Sequence, residues 1–242
     1  VEAPDQRRFF NCPNSLNFEI RKQDIQKIRQ MKNIAEIRKE YSREVLDESH
    51  AHADPFRQFD QWWHEALASE IDEVNAMTLA TTGTNGKPSA RIVLLKGYSD
   101  EGFVFFTNYQ SRKGEQMTAN PYASLVFFWK ELERQVRIEG RVEKVSASDS
   151  DAYFLSRPVE SQIGAWSSPQ SRVIPSREII EENVKNMTAR FSAEELVRPP
   201  HWGGYLVKPD TMEFWQGRPS RLHDRIQYVW ESGIWRRQRL AP

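Results

Sequence analysis

The sequence predicts an α+β protein whose strands close into a small antiparallel barrel, with helices at its periphery. Three observations predict it. β-prone segments follow one another with short turn signals between them, as hairpins require, and not in a βαβα alternation. Helical periodicity is confined to a few inserted stretches. No G-x-G-x-x-G follows a strand and no Walker A sequence occurs, which disfavours a Rossmann or P-loop domain.

Residues 1–30 are broken by Pro4, Asn11, Pro13 and Asn14 and read as an extension outside the core, with a single domain over 31–242. Over 18–41 the positions Ile20, Ile25, Ile28, Met31, Ile34 and Ile37 recur at mostly helical spacing, which predicts one or two amphipathic helices. Asp54 suits an N-cap and Pro55 the first helical position. Phe56, Phe59, Trp62, Trp63, Ala66 and Leu67 then make a wide apolar stripe for the core. Strands follow at 76–82 and 90–96. Thr84-Asn85-Gly86-Lys87 between them is a type I′ hairpin signal. Ile92-Val93-Leu94-Leu95 is apolar without alternation, which predicts a central strand buried on both faces. Asp100-Glu101-Gly102 turns the chain into a strand at 103–107. A short helix fits 111–119 and stops at Asn120-Pro121. Strands are predicted at 122–129 and 134–145 and helices at 148–156 and 176–191. The last strands fall at 204–207, 211–215, 225–230 and 234–240.

Lys plus Arg equals Asp plus Glu at 34 each, so bulk charge gives no attraction to nucleic acid or to an anionic membrane. No apolar run is long enough for a transmembrane helix and no secretory leader is visible. The lone Cys12 excludes an internal disulfide framework and fits a reducing, cytoplasmic compartment. Eight Trp and thirteen Phe are enough to build walls for a flat ligand as well as a core.

Positive charge therefore matters where it is concentrated. Arg221, His223 and Arg225 alternate with Leu222 and Asp224, so a strand there would place all three on one face, suited to a planar anion. Arg91 and Lys96 bracket an apolar strand. Arg112 and Lys113 fall in the first turn of a predicted helix, where the macrodipole disfavours cations unless an anion such as phosphate sits there too. Tyr153 and Arg157 are four apart on a predicted helix that Pro158 ends, with Ser161 close behind; together they can form a second oxyanion site, whereas an isolated Y-x-x-x-R reads as a surface pair. His50-Ala51-His52 reads as a solvated loop and not a metal site. With no nucleophile elbow and no HExxH, the chain is equipped to hold a cofactor that does the chemistry.

In combination these segments resemble the pyridoxine (pyridoxamine) 5′-phosphate oxidase family. The resemblance runs from Ile34 to Pro242 through Ile37-Arg38-Lys39-Glu40-Tyr41, Arg91-Ile92-Val93-Leu94-Leu95-Lys96, Phe106-Thr107-Asn108, Ser111-Arg112-Lys113 and Glu133-Arg134-Gln135-Val136. It continues through Ser156-Arg157-Pro158, Ser161-Gln162-Ile163-Gly164-Ala165-Trp166, Phe214-Trp215-Gln216, Arg221-Leu222-His223-Asp224-Arg225 and the terminal Arg239-Leu240-Ala241-Pro242.

The resemblance implies an FMN-binding split β-barrel that forms a homodimer with FMN in clefts between subunits. It implies oxidation of pyridoxine or pyridoxamine 5′-phosphate to pyridoxal 5′-phosphate by O2, with release of H2O2, in vitamin B6 metabolism. FMN contacts would fall on Arg91, Ile92, Val93, Leu94, Leu95, Lys96, Phe106, Thr107, Arg112, Lys113, Gln135, Gln170, Ser171, Trp215 and Arg225. Substrate contacts would be Lys96, Tyr153, Arg157, Ser161, Arg221 and His223, with Arg38 and Tyr41 closing over the site as a flap. Arg221 and His223 would be the catalytic pair, His223 the more ordinary acid/base group. The rival readings are another FMN enzyme on the same barrel, such as a reductase, and a non-catalytic FMN- or pyridoxal phosphate-binding protein.

Overall fold

The computed structural model describes residues 39–242. The chain divides into two units, Val1–Glu40 and Tyr41–Pro242. Arg38, the 1–30 extension and most of the amphipathic stretch at 18–41 lie outside the described residues.

The second unit is a curled antiparallel sheet with helices around it. In chain order the elements are α1 (Pro55–Ala68), β1 (Ala76–Thr82), β2 (Pro88–Leu94), β3 (Gly97–Ser99), β4 (Gly102–Asn108), α2 (Arg112–Ala119), β5 (Tyr122–Trp129) and β6 (Arg134–Lys144). They continue with α3 (Ala147–Leu155), α4 (Val159–Ser167), α5 (Glu178–Phe191), β7 (Trp202–Gln216), β8 (Asp224–Glu231) and β9 (Ile234–Arg239). The hydrogen-bonded order is β2-β1-β5-β6-β7-β4-β3, with β8 on β7 and β9 on β8.

That order forces the curl. β2 and β3 lie at opposite ends of it, yet only Leu95 and Lys96 separate them in the chain. Two residues span only about 7 Å, so the sheet must bend until its ends meet. The Lys96 N–H donates to Val104 O across the seam at 2.8 Å. β7 is the spine: its first half pairs with β4, its second half with β8, and β6 runs along its whole length.

The interior is filled from both sides. Leu79, Phe103, Phe105, Leu125, Phe127, Val136, Ile138, Val207, Met212 and Phe214 are all fully buried. α1 lays its apolar stripe on them, with Phe59 4.8 Å from Phe103 and Trp62 5.3 Å from Phe214 between ring centroids. The Phe56 N–H donates to the Asp54 carboxylate at 2.7 Å, so the predicted N-cap forms.

The strands at 76–82 and 122–129 take the predicted bounds, and other boundaries shift by a residue or two. Four expectations are corrected. The strand carrying Ile92 to Leu95 is not central: β2 is an edge strand of the described sheet and Ile92 is 63% exposed. Leu95 is buried and Val93 packs against the core, while Ile92 lies on an open face shared with the 53%-exposed Phe128 two strands away. The β1–β2 turn is not type I′: Thr82 pairs with Pro88 across a five-residue loop, and only Gly86 takes positive φ, at 70°. Longer hairpin loops are built around turns of the ordinary hand, which leaves Asn85 at negative φ. The predicted pair at 204–207 and 211–215 is one strand, β7, because β6 supports it throughout, with a register shift between Glu139 and Gly140 opposite Pro209. Helix α4 was not expected after Pro158, although proline suits that position just before a helix.

Candidate functional site

The N-terminus of α2 gathers one group of polar side chains. Ser111 caps the helix, its hydroxyl accepting from the Gly114 N–H at 3.3 Å, and Arg112 and Lys113 open the first turn as expected. Lys113 Nζ donates to Thr107 Oγ1 at 2.9 Å and to Gln170 Oε1 at 2.7 Å, which draws the loop after α4 onto β4. Arg91 reaches in from β2, donating to Thr81 Oγ1 and Ser89 Oγ, both at 2.6 Å. None of Arg91, Arg112 and Lys113 has a carboxylate partner among the described residues. Burial, reinforced by Arg91, pulls the Lys113 ammonium down to about 8. Burial and the neighbouring Arg112 also lower Arg91. Three cations crowded onto a helix N-terminus without a counter-charge make a site for a dianion such as phosphate.

A second group lies beside it. Phe106, Tyr153 and Trp202 stack nearly parallel, Tyr153 3.9 Å from Phe106. Arg157 lies over the Trp202 ring at 4.6 Å, and its Nη1 is buried with no hydrogen-bond partner. Burial lowers its pKa. An orphaned guanidinium nitrogen leaves a donor for an oxyanion. Tyr153 is on α3, but Arg157 lies two residues past the end of that helix, so the predicted shared helical face is replaced by a turn. Ser161 is half-buried in the first turn of α4. Lys96 is exposed at the seam, and among the described residues its side chain has no hydrogen bond or ion pair. Ser171 is exposed, at φ 70°.

The third group sits at the far end of β7. Gln135, Trp215 and Arg225 are direct neighbours across β6, β7 and β8, in a row that continues to Phe128 on β5. Buried Glu213 holds Arg225 by two hydrogen bonds, of 2.8 and 3.1 Å, and also pairs with Arg137. The ring of His223 lies 4.6 Å from Trp215, and Tyr41 meets Trp215 edge-on at 5.8 Å. Tyr41 can approach because residue 217 is glycine: a Cβ there would lie 2.6 Å from the Tyr41 ring.

The predicted strand through Arg221, His223 and Arg225 does not form. A short 3-10 turn occupies Pro219–Arg221, Ser220 and Arg221 take φ of 56° and 62°, and β8 begins only at Asp224. Arg221 is exposed, and its charge reaches His223, where burial first and Arg221 second lower the imidazole pKa. The Arg218 N–H donates to His223 Nδ1 at 3.1 Å. A backbone N–H can only donate, so the neutral ring carries its hydrogen on Nε2.

Sequence reasoning gave no role to Trp202, Glu213 or Glu133. Trp202 precedes Gly203-Gly204 and carried no spacing signal. Glu213 is placed by strand register, and Glu133 by the left-handed turn just before β6.

The structure of PhzG from Burkholderia lata, in complex with tetrahydrophenazine-1-carboxylic acid, matches at a TM-score of 0.77 and 29% identity, covering 83% of this chain and all of that one. A pyridoxamine 5′-phosphate oxidase-related, FMN-binding protein from Nostoc punctiforme shares the fold at a TM-score of 0.62 and 18% identity, over 78% of this chain and 98% of its own. The pyridoxine/pyridoxamine 5′-phosphate oxidase of Burkholderia multivorans is 59% identical over 215 residues, 88% of this chain and 100% of its own. That of an Acidovorax species is 58% identical over 210 residues, 87% and 96% of the two chains. The family model for pyridoxamine 5′-phosphate oxidase matches residues 63–191, and that for the pyridoxine 5′-phosphate oxidase C-terminal dimerisation region matches 202–242. With two separate groups of cationic side chains on a curled antiparallel sheet, the chain belongs to the pyridoxine/pyridoxamine 5′-phosphate oxidase family.

Proposed function

We propose that the protein oxidises pyridoxine 5′-phosphate or pyridoxamine 5′-phosphate to pyridoxal 5′-phosphate, with FMN as cofactor and O2 as acceptor. The alcohol yields the aldehyde and H2O2; the amine consumes water as well and also releases ammonia. The observation that carries this reading is the pair of anion sites, Arg91, Arg112 and Lys113 at one and Arg157 at the other. One phosphorylated cofactor and one phosphorylated substrate need two such sites.

The residues fit FMN. Arg91, Thr107, Arg112 and Lys113 would hold its phosphate, and Gln135, Trp215 and Arg225 would meet the rest of it. When bound, FMN supplies the two-electron acceptor and its reoxidation by dioxygen. The chain's own part is orientation. Arg157, Tyr153 and Ser161 take the substrate phosphate, with Lys96 at the rim. Arg221 steers the 4′ substituent; a guanidinium holds its protons too tightly to serve as a base. His223 donates through Nε2 to a substrate oxygen and so positions the ring, a narrower role than general acid/base. Tyr41 covers this end of the cleft.

The working unit is a homodimer. Trp215 lies thirteen positions along β7 from Trp202, on the order of 40 Å of strand, too far for one small ligand to meet both groups on one chain. A second copy, packed on the open face of Ile92 and Phe128, brings its own Trp215 end to the first copy's phosphate groups. The match to a dimerisation region supports this arrangement. A cytoplasmic location accords with the lone cysteine.

Purified protein reconstituted with FMN should convert pyridoxamine 5′-phosphate in air to aldehyde and peroxide in equal amounts. A yellow protein that forms neither is a binding module, and one that instead consumes a nicotinamide donor is a reductase. Either result overturns the proposal.

A further inference from the structure

We propose that Glu133 is a positioning residue whose buried carboxylate ties the chain at Ser42 and Arg43 to the end of β7 and so holds Tyr41 against Trp215 and His223. This role rests on the reading of Tyr41 and His223 as the substrate-facing side of the cleft, beside Trp215 at the FMN.

Glu133 is 3% exposed and takes the left-handed conformation, φ 55° and ψ 38°, directly after a 3-10 turn. A non-glycine residue in that region is held there by its surroundings. Both its ends are used. Carboxylate oxygen Oε2 accepts from two successive backbone N–H groups, Ser42 at 2.8 Å and Arg43 at 3.2 Å. Its carbonyl oxygen accepts from the Gly217 N–H at 2.7 Å and from Gln216 Nε2 at 3.3 Å. One residue thus grips the segment that carries Tyr41 and the strand end that carries Trp215.

The left-handed turn is what allows this double grip. It reverses the chain between the 3-10 turn and β6, turning the side chain toward Ser42 while the carbonyl stays in line with β7. The ring of Tyr41 then settles on Gly217, the residue that Glu133 O fixes. An anionic acceptor makes a stronger bond to an N–H than a neutral one, so charge and length both matter at this position.

Two variants separate these properties. Glu133→Gln keeps length and an acceptor oxygen but loses charge. Glu133→Asn suits the left-handed conformation but is one carbon too short to reach Ser42. In the FMN-loaded protein, KM for pyridoxamine 5′-phosphate should rise at least about tenfold in Glu133→Asn and less in Glu133→Gln. In both variants kcat and FMN affinity should stay within about twofold of the parent. Hydrogen exchange gives a readout independent of turnover: the Ser42 and Arg43 amides should be protected in the parent and at least about tenfold faster in Glu133→Asn. Fast exchange at both amides in the parent overturns the proposal, as does an unmoved KM in both variants. A fall in FMN affinity parallel to the rise in KM also overturns it, because Glu133 would then be a general structural support. Protected amides in a protein that oxidises no B6 vitamer would support the tether while sinking the proposed function.

Discussion

Trp202 opens β7 and Trp215 stands one residue from its end, so a single strand carries both halves of the candidate site and keeps them apart. Trp202 supports Arg157; Trp215 sits with Tyr41 and His223. If a partner supplies the missing half, Lys113→Ala and Trp215→Ala proteins, each nearly inactive, should complement on mixing. A heterodimer has one site with both lesions and one with neither, so activity should return to about a quarter of the parent's. No recovery after unfolding and refolding the mixture would place each site within one chain.

Lys113 makes FMN affinity depend on pH. Its folded pKa of about 8 lies below the ordinary 10.5 because burial and Arg91 disfavour the charge. A bound phosphate restores that charge, so binding above pH 8 takes up a proton. Affinity should be flat below that pH and fall above it, by up to about tenfold per unit. The apoprotein should behave in the opposite sense. Between pH 8 and 10.5 the unfolded chain holds the proton that the folded one has lost, so apoprotein stability rises with pH across that window. Lys113→Met should abolish both dependences and weaken FMN binding by roughly 10- to 150-fold. Fluorescence titration of the apoprotein across that range is the check.

Arg221→Ala should lower turnover far more than FMN affinity, because Arg221 stands at the His223 side of the cleft and not among the cations at α2. Alanine also has to adopt the φ of 62°, at a local cost of about 1–2 kcal/mol, so Arg221→Asn is the better-behaved companion. Stopped-flow turnover set beside an FMN titration decides it: equal losses in both would remove Arg221 from the chemistry.

The His223 tautomer can be read directly. Nitrogen-15 spectra of histidine-labelled protein above the imidazole pKa should show an unprotonated Nδ1 and a protonated Nε2, as the Arg218 N–H demands. The His223 pKa should lie below the ordinary 6.5, since burial and Arg221 both disfavour the cation. A proton on Nδ1 would return His223 to the role of base.

Part of this arrangement is legible in the sequence alone. The gathering of Ser111, Arg112 and Lys113 at the start of α2 is readable, because two cations at a helix start contradict the macrodipole, a local conflict that sequence alone exposes. Tyr153 and Arg157 were paired for the wrong reason. A four-residue spacing suggested one helical face, whereas a turn beyond α3 brings the guanidinium onto Trp202. The alternation of Arg221, His223 and Arg225 suggested a strand, but Pro219 and two left-handed residues delay β8 until Asp224. Ile92 to Leu95 has a composition that fits a central strand and an uncovered edge equally well, because a run of apolar residues does not say what covers it. Glu213 acts through register across β7 and β8 and Glu133 through contacts some ninety residues away, long-range properties with no local signature.

The seam at Leu95 and Lys96 has one more implication. So short a joint between the first and last rows of the sheet has no slack, and an inserted residue there would let the cylinder unroll before it weakened any helix. The same brevity sets the exposed Lys96 at the hoop's fastening, where its position is fixed by both ends of the sheet at once.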